Sequence, residues 1–379
     1  MKSKTILILY YYYHHHVMVE RLASSLKEYG VYVDVLCMDN LHLVKQSDVR
    51  FNRAVQLLLS CFNGHNNLLI RRVVKKAFTS GMLKGMLKNY DLVDFHAFSS
   101  DYLPYMTFCE SRKILYDITL WGSDIMRATE RGLDQKRMGF ENCRHIKCSE
   151  NLHQVLKEKY SSEFDNKVRI VYFGNSDYEI IDRVSESDVL DFKKSLMKNR
   201  GTLLVTCGYN GSEGQNHAAI IEAIQGLPEE LKCSTFFLFP MTYGASPEYL
   251  ERIRLALDGT EVHYTIIDQY ISAERIATLR RASDIVINIQ KTDAFSGSLQ
   301  DHLYCGNVLI VGEWLNYVPL ENAEVYYIKT SVPDIRENLI RVLADYPKYK
   351  GLCSDNRKKM ENLTSWASVL PSWVESYLS

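Results

Sequence analysis

Short apolar runs alternate with longer amphipathic stretches along most of this chain. In the first half, runs rich in β-branched, aromatic and aliphatic residues predict strands at residues 5–11, 31–37, 92–97, 113–120, 145–148 and 168–172. Apolar positions at helical spacing predict a helix over residues 16–29, closed by Gly30. A strand, a helix and a second strand in this order form a βαβ unit, which indicates a parallel sheet with crossover helices.

The same alternation resumes in the second half. It predicts strands at residues 202–207, 234–240, 262–266, 285–289 and 308–311, with helices at 218–224, 247–257 and 273–282. Between the halves, residues 173–199 carry many charges and lose the strong apolar periodicity. The pattern therefore predicts two doubly wound α/β halves, with ligands bound beyond the carboxyl ends of the strands and in a cleft between the halves.

These patterns also predict where the domains begin and end. We expect a first Rossmann-like domain at residues 1–175, a linker at 176–200 and a second Rossmann-like domain at 201–360. A C-terminal helix at 361–379 is expected to pack back on the first domain.

Composition narrows the classes of function. The chain's 379 residues exceed the usual limit for one hydrophobic core, and its 46% hydrophobic content suffices for two. A formal net charge of -1 argues against a generally nucleic-acid-binding surface. Nine cysteines without Cys-x-x-Cys spacing, and an apolar N-terminal stretch too short and tyrosine-rich for a secretion signal, indicate a reducing cytoplasm. No apolar run approaches the length that crosses a bilayer.

Three consecutive histidines, His14, His15 and His16, suggest a metal site at first sight. Neighbouring residues point in alternating directions on a strand and splay around a helix, so three in a row rarely complete one coordination sphere. We therefore expect them to line the first βα turn, and we expect neither a metal nor a cofactor.

The most informative segment runs from Asp293 to Gly312. Two carboxylates, Asp293 and Asp301, flank a small-residue turn that predicts a loop followed by the start of a helix. The backbone amides at the positive end of that helix are expected to hold an anion, and they belong to Ser296, Gly297, Ser298 and Leu299. A nucleotide sugar fits such a site, with its diphosphate on the helix and its sugar and ribose hydroxyls on the carboxylates. The alternative is that Asp293 caps the helix and Asp301 is an exposed residue of its first turn.

A second turn in the same half is also rich in glycine. Residues 208–217 contain three glycines and several small polar residues between a predicted strand and a predicted helix, which lets backbone amides approach phosphate oxygens. The segment matches neither the Gly-x-Gly-x-x-Gly dinucleotide fingerprint nor the Walker loop. It is either an ordinary connection in which His217 opens the helix, or, with the turn at 296–298, one of two walls of an anion site.

Two residues of the first half are candidates for catalysis. Asp124 follows a predicted strand and a glycine turn, where it could orient or activate an acceptor hydroxyl, with a helix cap as the alternative. His96 ends the preceding predicted strand, and its alternative is a hydrogen-bonded histidine of the core.

Residues 51–90 are unusually basic. The acid-free stretch from Phe51 to Tyr90 interleaves seven basic residues with large apolar ones: Arg53, Arg71, Arg72, Lys75, Lys76, Lys84 and Lys88. This favours docking on an anionic membrane surface, and the alternative is a solvated basic helix face.

The motifs together resemble a known family. The Trp-Gly-Ser-Asp turn at 121–124, the Phe-Gly-Asn-Ser-Asp turn at 173–177, and Asp293-x7-Asp301 followed by Cys305-Gly306 resemble GT-B glycosyltransferases over nearly the full chain. The pair of acids is similar to the Glu-x7-Glu signature of group-1 retaining enzymes. The Trp-Gly-Ser-Asp turn, the polar residues at 210–217 and the Pro-Met-Thr-Tyr-Gly run at 240–244 look closer to the bacterial TDP-4-acetamido-4,6-dideoxygalactose transferases. The chain departs from group 1 at Tyr209 and Glu213, where those enzymes generally carry Arg and Lys.

The resemblance implies two Rossmann-like domains facing a central cleft and metal-independent sugar transfer to a lipid-linked or polysaccharide acceptor at the inner face of the membrane. It adds donor-binding residues to those named above, namely Gly208, Tyr209, Asn210, His217 and Tyr243, with Tyr270 and Ile271 at the base edge. The alternatives are a nucleotide-sugar epimerase of the same fold and a non-catalytic partner subunit.

Overall fold

A computed structural model describes residues 4–11, 16–51, 53–64, 68–198 and 201–379. His14 and His15 lie outside the described residues. The chain forms two compact units, unit 1 with Met1–Gly174 and Trp366–Ser379, and unit 2 with Asn175–Ser365.

Unit 1 is built on a seven-stranded sheet. Its strands are β1 (Lys4–Tyr10), β2 (Val31–Cys37), β3 (His42–Val44), β4 (Leu92–His96), β5 (Leu115–Thr119), β6 (Ile146–Cys148) and β7 (Val168–Ile170). The spatial order is β3-β2-β1-β4-β5-β6-β7, parallel throughout except that β3 runs antiparallel to β2. The helices between the strands are α1 (His16–Lys27), α2 (Arg53–Gly64), α3 (Leu68–Ala77), α4 (Leu83–Leu87), α5 (Leu103–Arg112), α6 (Ser123–Met126), α7 (Glu130–Asn142) and α8 (Glu150–Tyr160), with a π-helical turn at Phe78–Met82.

Unit 2 is a second, six-stranded parallel sheet. Its strands are β8 (Leu203–Cys207), β9 (Thr235–Pro240), β10 (His263–Ile267), β11 (Ile285–Asn288), β12 (Val308–Gly312) and β13 (Ile328–Thr330), in the order β10-β9-β8-β11-β12-β13. Its helices are α9 (Asp177–Ile181), α10 (Glu186–Met197), α11 (His217–Gln225), α12 (Glu229–Ser234), α13 (Pro247–Asp258), α14 (Ala273–Ala282), α15 (Gly297–Tyr304), α16 (Val318–Asn322), α17 (Ile335–Ala344), α18 (Tyr346–Leu352) and α19 (Asn356–Thr364).

The predicted α/β class with two parallel-sheet domains is confirmed. The edge strands β3 and β13 were not predicted, although β6 and β7, which are equally short, were. Residues 176–200, expected as a linker, instead contain α9 and α10 and belong to unit 2. Helix α10 buries Val189, Phe192 and Met197 on one face, while charges on its other positions obscure that stripe in the sequence.

The last helix, α20 (Trp366–Leu378), returns to unit 1. Its apolar residues pack into the same core as β1, β2 and α1. The indole N–H of Trp373 also donates to the carbonyl of Tyr172 at 2.8 Å. The helix is therefore part of the core of unit 1, although Trp373 and Tyr172 are 201 positions apart in sequence.

A group of buried charges, the ion cluster, lies where α20 meets the sheet of unit 1. Lys147 donates to Asp94 at 2.9 Å and to Asp117, and all three side chains are completely buried. The Tyr377 hydroxyl donates to Asp94 at 2.7 Å, and Arg144 donates to Asp117 at 2.7 and 2.9 Å. Burial alone would raise the pKa of Asp94, but Lys147 brings it below its ordinary value.

Cations also hold the carboxyl end of α20. Arg144 donates to the carbonyls of Ser376 at 2.9 Å and Ser379 at 2.7 Å, and Lys4 donates to that of Tyr377 at 2.6 Å. These cations donate to carbonyls that the helix itself leaves unpaired. Their positive charge also stabilises the negative end of the helix dipole. The ion cluster and the cap thus tie α20 to strands β1, β4, β5 and β6.

Among the residues that the structure describes, none of the helices combines the length and apolarity needed to span a membrane.

Removing the cation of the ion cluster is expected to destabilise unit 1. Lys147→Met leaves Asp94 and Asp117 buried without their shared partner, which typically costs about 3–5 kcal/mol. Lys159→Met, at an exposed site of α8, is the matched control and is expected to cost less than about 0.5 kcal/mol. Urea unfolding followed by tryptophan fluorescence measures both, and equal stability of the two variants would contradict the role of the ion cluster.

Candidate functional site

The strand order of unit 2 reverses between β8 and β11. The chain winds from β8 towards β10 on one side and from β11 towards β13 on the other. In such sheets the loops that leave the two central strands diverge and open a crevice at the carboxyl edge, where ligands bind. The loops after β8 and β11, residues 208–216 and 289–296, are the two turns that the sequence singled out.

A small, partly enclosed cavity of about 10 Å³ lies at this switch point. It is lined by Gly208, Tyr209, Val286, Asn288, Ser298, Leu299, His302 and Leu309. The structure therefore brings both turns to one cavity. Asn288 is buried at its wall, and its side-chain oxygen has no hydrogen-bond partner among the described residues.

The turn after β8 requires glycine. Gly208 has a φ of +68°, and a Cβ there would lie 2.9 Å from the side-chain oxygen of Gln215 and 3.1 Å from Nε2 of His217. His217 is completely buried, and its Nδ1 is 3.0 Å from the Tyr249 hydroxyl. Burial lowers the pKa of His217 to about 4, so the ring is neutral near pH 7. The ring lies beneath the turn, and its contact with a donor stays a prediction.

Two tyrosines border the same turn. The Tyr209 hydroxyl donates to the side-chain oxygen of Gln290 at 3.1 Å, which links the two loops. The carbonyl of Tyr243, on the loop after β9, accepts from the amide of Gly211 at 2.7 Å, and the Tyr243 hydroxyl is 3.5 Å from the Asn210 amide nitrogen. Tyr243 is 61% exposed, so its ring is available to a ligand beside the turn.

Tyr270 and Ile271 lie on the loop after the edge strand β10. Tyr270 is 87% exposed, and neither residue lines the cavity at the switch point. Their contact with a nucleotide base stays a prediction.

Asp293 is held firmly at the start of the turn before α15. One carboxylate oxygen accepts from the Ser296 amide at 3.0 Å, and the other accepts from the Ser296 hydroxyl at 2.9 Å and the Tyr317 hydroxyl at 2.6 Å. Tyr317 in turn accepts from the Asn288 amide at 3.3 Å. Burial raises the pKa of Asp293, and the bonds from Tyr317 and Ser296 oppose this shift. Asp293 thus orders Ser296, the residue before the helix, rather than capping the helix itself, and it remains partly exposed.

The first turn of α15 presents unpaired donors. Ser296 is the N-cap, but its side chain makes no capping bond to the helix. Within the described part of the chain, no acceptor pairs with the amides of Gly297, Ser298 or Leu299. Such amides carry the positive pole of the helix dipole and form an anion-binding site. Nothing lies within 4 Å of a Cβ built on Gly297, so the helix end is open.

Asp301 occupies a different environment from the one expected. It is only 2% exposed, and its carboxylate accepts from the Asn175 amide at 2.8 Å and lies 3.6 Å from Nε of Arg280. Burial raises its pKa, while Arg280 opposes the shift. The alternative of an exposed first-turn residue is wrong, and the ribose contact is unsupported, because both carboxylate oxygens face protein groups. Asp301 ties α15 to the start of unit 2.

His96 is a core residue of unit 1. Its ring is completely buried, with Nε2 3.3 Å from Asp94, Nδ1 3.4 Å from the Trp121 indole nitrogen, and the Trp373 ring stacked at 6.1 Å. A ring without exposed atoms cannot contact an acceptor in this structure, so the geometry gives His96 the core role that was its alternative.

Asp124 joins two loops of unit 1. Its carboxylate accepts from the amides of Phe98 at 2.9 Å, Trp121 at 3.1 Å and Gly122 at 2.8 Å. Burial raises its pKa, and these amide bonds oppose the shift. Both oxygens are occupied, so the structure supports a loop-organising role and gives no support to a catalytic base.

The sequence analysis did not single out Asn288, Gln290 or Tyr317. Asn288 and Gln290 are polar residues at the end of a buried apolar strand. Polar residues at that place could have indicated the site from the sequence. Tyr317 had no local signal, because it reaches Asp293 from 24 positions away. Among the described residues, no group of three potential ligand side chains is arranged to hold a metal ion.

Comparison with known proteins adds evidence on the fold. No protein-family description and no curated protein matches the chain. A glycosyltransferase from Rickettsia africae is similar in structure, with a TM-score of 0.73 at 12% identity over 100% of this chain and 98% of that one. HepE of Anabaena in complex with UDP-glucose has a TM-score of 0.70 at 12% identity over 99% of both chains. The UDP-GlcNAc 2-epimerase of Neisseria meningitidis, bound to UDP-GlcNAc, has a TM-score of 0.57 at 13% identity over 99% of both chains.

These similarities do not confirm the finer resemblance to group-1 enzymes or to the TDP-4-acetamido-4,6-dideoxygalactose transferases. They do extend over both units. The chain therefore has the GT-B glycosyltransferase fold.

Proposed function

We propose that this protein is a glycosyltransferase whose donor is a nucleotide-diphosphate sugar. The observation that carries the proposal is the set of unpaired amides of Gly297, Ser298 and Leu299 at the switch-point cavity of unit 2. A diphosphate supplies the acceptor oxygens and the negative charge that this helix end lacks.

The other residues of the cavity suit the rest of such a donor. Asp293, oriented by Tyr317, accepts a hydrogen bond from a sugar hydroxyl, and Tyr209 and Tyr243 border the donor at the glycine turn. Tyr270 and Ile271 are the residues we assign to the base edge. In the reaction, an acceptor hydroxyl oxygen bonds to the anomeric carbon and loses its proton, while the bond to the diphosphate breaks and leaves its electron pair on the diphosphate. The helix end stabilises that charge without a metal ion.

A lipid-linked or polysaccharide acceptor is the second part of the proposal. In the basic segment 51–90, α3 exposes Arg72, Val73 and Lys76, and α2 exposes Leu57; Leu57 and Val73 are 63% and 65% exposed. Beside it, an open recess of about 390 Å³ is lined by Leu43, Lys45, Val49, Arg50, Phe51, Gln56 and Leu59. Cationic and apolar groups on one surface favour anionic lipid.

Part of the apolar pattern in this segment has a different cause. Phe78, Leu83, Met86 and Leu87 are buried in unit 1, so they stabilise the fold and do not face a membrane. The lipid-binding proposal therefore depends on the exposed residues of α2 and α3. We accordingly expect the enzyme at the cytoplasmic face of a membrane, in the synthesis of a bacterial surface glycan.

An epimerase is the alternative favoured by one observation, the structural similarity to the Neisseria enzyme. An epimerase must interconvert free nucleotide sugars, whereas a transferase passes the sugar to an acceptor or, slowly, to water. The two functions therefore differ in their products when no acceptor is added.

Donor turnover tests the proposed function. Incubated without acceptor with UDP-, TDP- and GDP-sugars, the protein is expected to release a nucleoside diphosphate slowly from one of them, since water replaces the acceptor. Excess EDTA is expected to leave this rate unchanged, because the helix end performs the role of a cation. Interconversion of the free nucleotide sugars would favour the epimerase. The absence of both reactions would favour a non-catalytic subunit.

The role of the α15 amides can be tested at one position. Gly297→Pro removes one N–H at the first helical position, where proline is tolerated, and the extended Ser296 before it is compatible with proline. We expect it to weaken binding of the nucleoside diphosphate about tenfold, the effect of a lost charge-assisted hydrogen bond. Gly297→Ala retains the N–H and puts its methyl group in open space, so it is the control. Calorimetric titration measures both, and equal affinities would exclude this amide from the site.

Membrane attachment has its own test. Changing both Arg72 and Lys76 to Gln is expected to reduce co-sedimentation with phosphatidylglycerol vesicles, because each engaged cation contributes about 1 kcal/mol at low salt. The control changes two exposed cations outside the segment, Arg131 and Lys159, to Gln. If wild-type protein does not sediment with these vesicles at low salt, the basic segment is a solvated surface.

A further inference from the structure

The carboxyl edge of the unit 2 sheet is almost free of cations. The loops after its six strands contain no arginine and a single lysine, and they span residues 208–216, 241–246, 268–272, 289–296, 313–317 and 331–334. All of them lie in the described part of the chain. The lysine is Lys291, on the loop after β11, two residues before Asp293.

Lys291 is placed by contacts of its backbone rather than its side chain. Its amide donates to the carbonyl of Gly214 at 2.8 Å, so this residue joins the two loops that border the cavity. The residue is exposed, and no acid or carbonyl of the described residues pairs with its ammonium group. The backbone is therefore fixed at the switch point while the charge remains free to bind a ligand.

The arginines that contact these loops do not offer an alternative cation. Glu213 pairs with Arg252 at 2.6 Å, and Asp268 pairs with Arg254, so both arginines are already engaged by acids of these loops. Asp293 adds a negative charge beside the helix end, and the Asn288 oxygen at the cavity wall is an acceptor without a donor. A diphosphate at this site would meet two groups that repel it and only the partial charges of amides in its favour.

We propose that Lys291 binds the diphosphate of the donor and supplies the one lysine or arginine charge that the loops at this edge of the sheet carry. The inference deepens the proposed function and rests on it. The four-carbon stem of lysine lets an ammonium group follow a diphosphate at an open helix end, where a rigid bidentate contact is not required. Lys291 is thus a specificity-determining residue that favours nucleoside diphosphates over monophosphates.

The test uses the full chain and titrates UDP, TDP and GDP, and then the monophosphate of whichever binds most tightly. K291Q is expected to weaken diphosphate binding about tenfold, the scale of one hydrogen bond to a charged group, and monophosphate binding less. K291R, which keeps the charge, is expected to retain most of the affinity. Added KCl should weaken wild-type binding more than K291Q binding, because it screens the charge that the variant lacks.

The matched control is K358Q, at an exposed lysine of α19 without a polar partner among the described residues. Diphosphate binding by K291Q equal to wild type would overturn the inference and leave the proposed function intact. Equal losses of diphosphate affinity in K291Q and K358Q would overturn it too, because they would show that binding depends only on the net charge of the protein. If wild-type protein binds none of the three diphosphates, the proposed function fails and this inference fails with it.

Discussion

The position of the candidate site follows from one constraint, the reversal of strand order between β8 and β11 in a parallel sheet. Adjacent parallel strands that send their connections to opposite sides cannot close the gap between their loops. The glycine turn at 208 and the start of α15 border that gap. The rest of the site depends on this placement, because amides and side chains that are far apart in sequence meet only at such an edge.

The hydrogen-bond donors that the candidate site offers belong mostly to the backbone. Asn288, Tyr317 and Asp293 form a chain of hydrogen bonds that fixes Ser296, and with it the open first turn of α15. Oriented amides require no reorganisation when an anion arrives, which suits a reaction that develops charge on a leaving group. A site of this kind is nearly invisible to a search for charged residues.

Unit 1 uses its polar residues for a different purpose. Asp94 and Lys147 belong to the buried ion cluster beneath α20, His96 lies beside it, and Asp124 joins two loops through three backbone amides. Buried charges of this kind are stable only with complete sets of partners. The same residue types at strand ends are what a catalytic site would need, so residue type and position alone could not separate the two roles.

The sequence by itself determined the α/β class, the two sheets and the two turns that meet at the switch point, because strand and helix periods and glycine positions are local properties. It could not determine the partners of single side chains. Asp301 and His217 became buried, and Asp293 was joined by Tyr317, because contacts between elements distant in sequence decide exposure and hydrogen bonding. The sequence analysis expected a C-terminal helix to pack on the first domain, but only the tertiary structure decided which cations hold α20, since Arg144 and Lys4 are more than two hundred positions away.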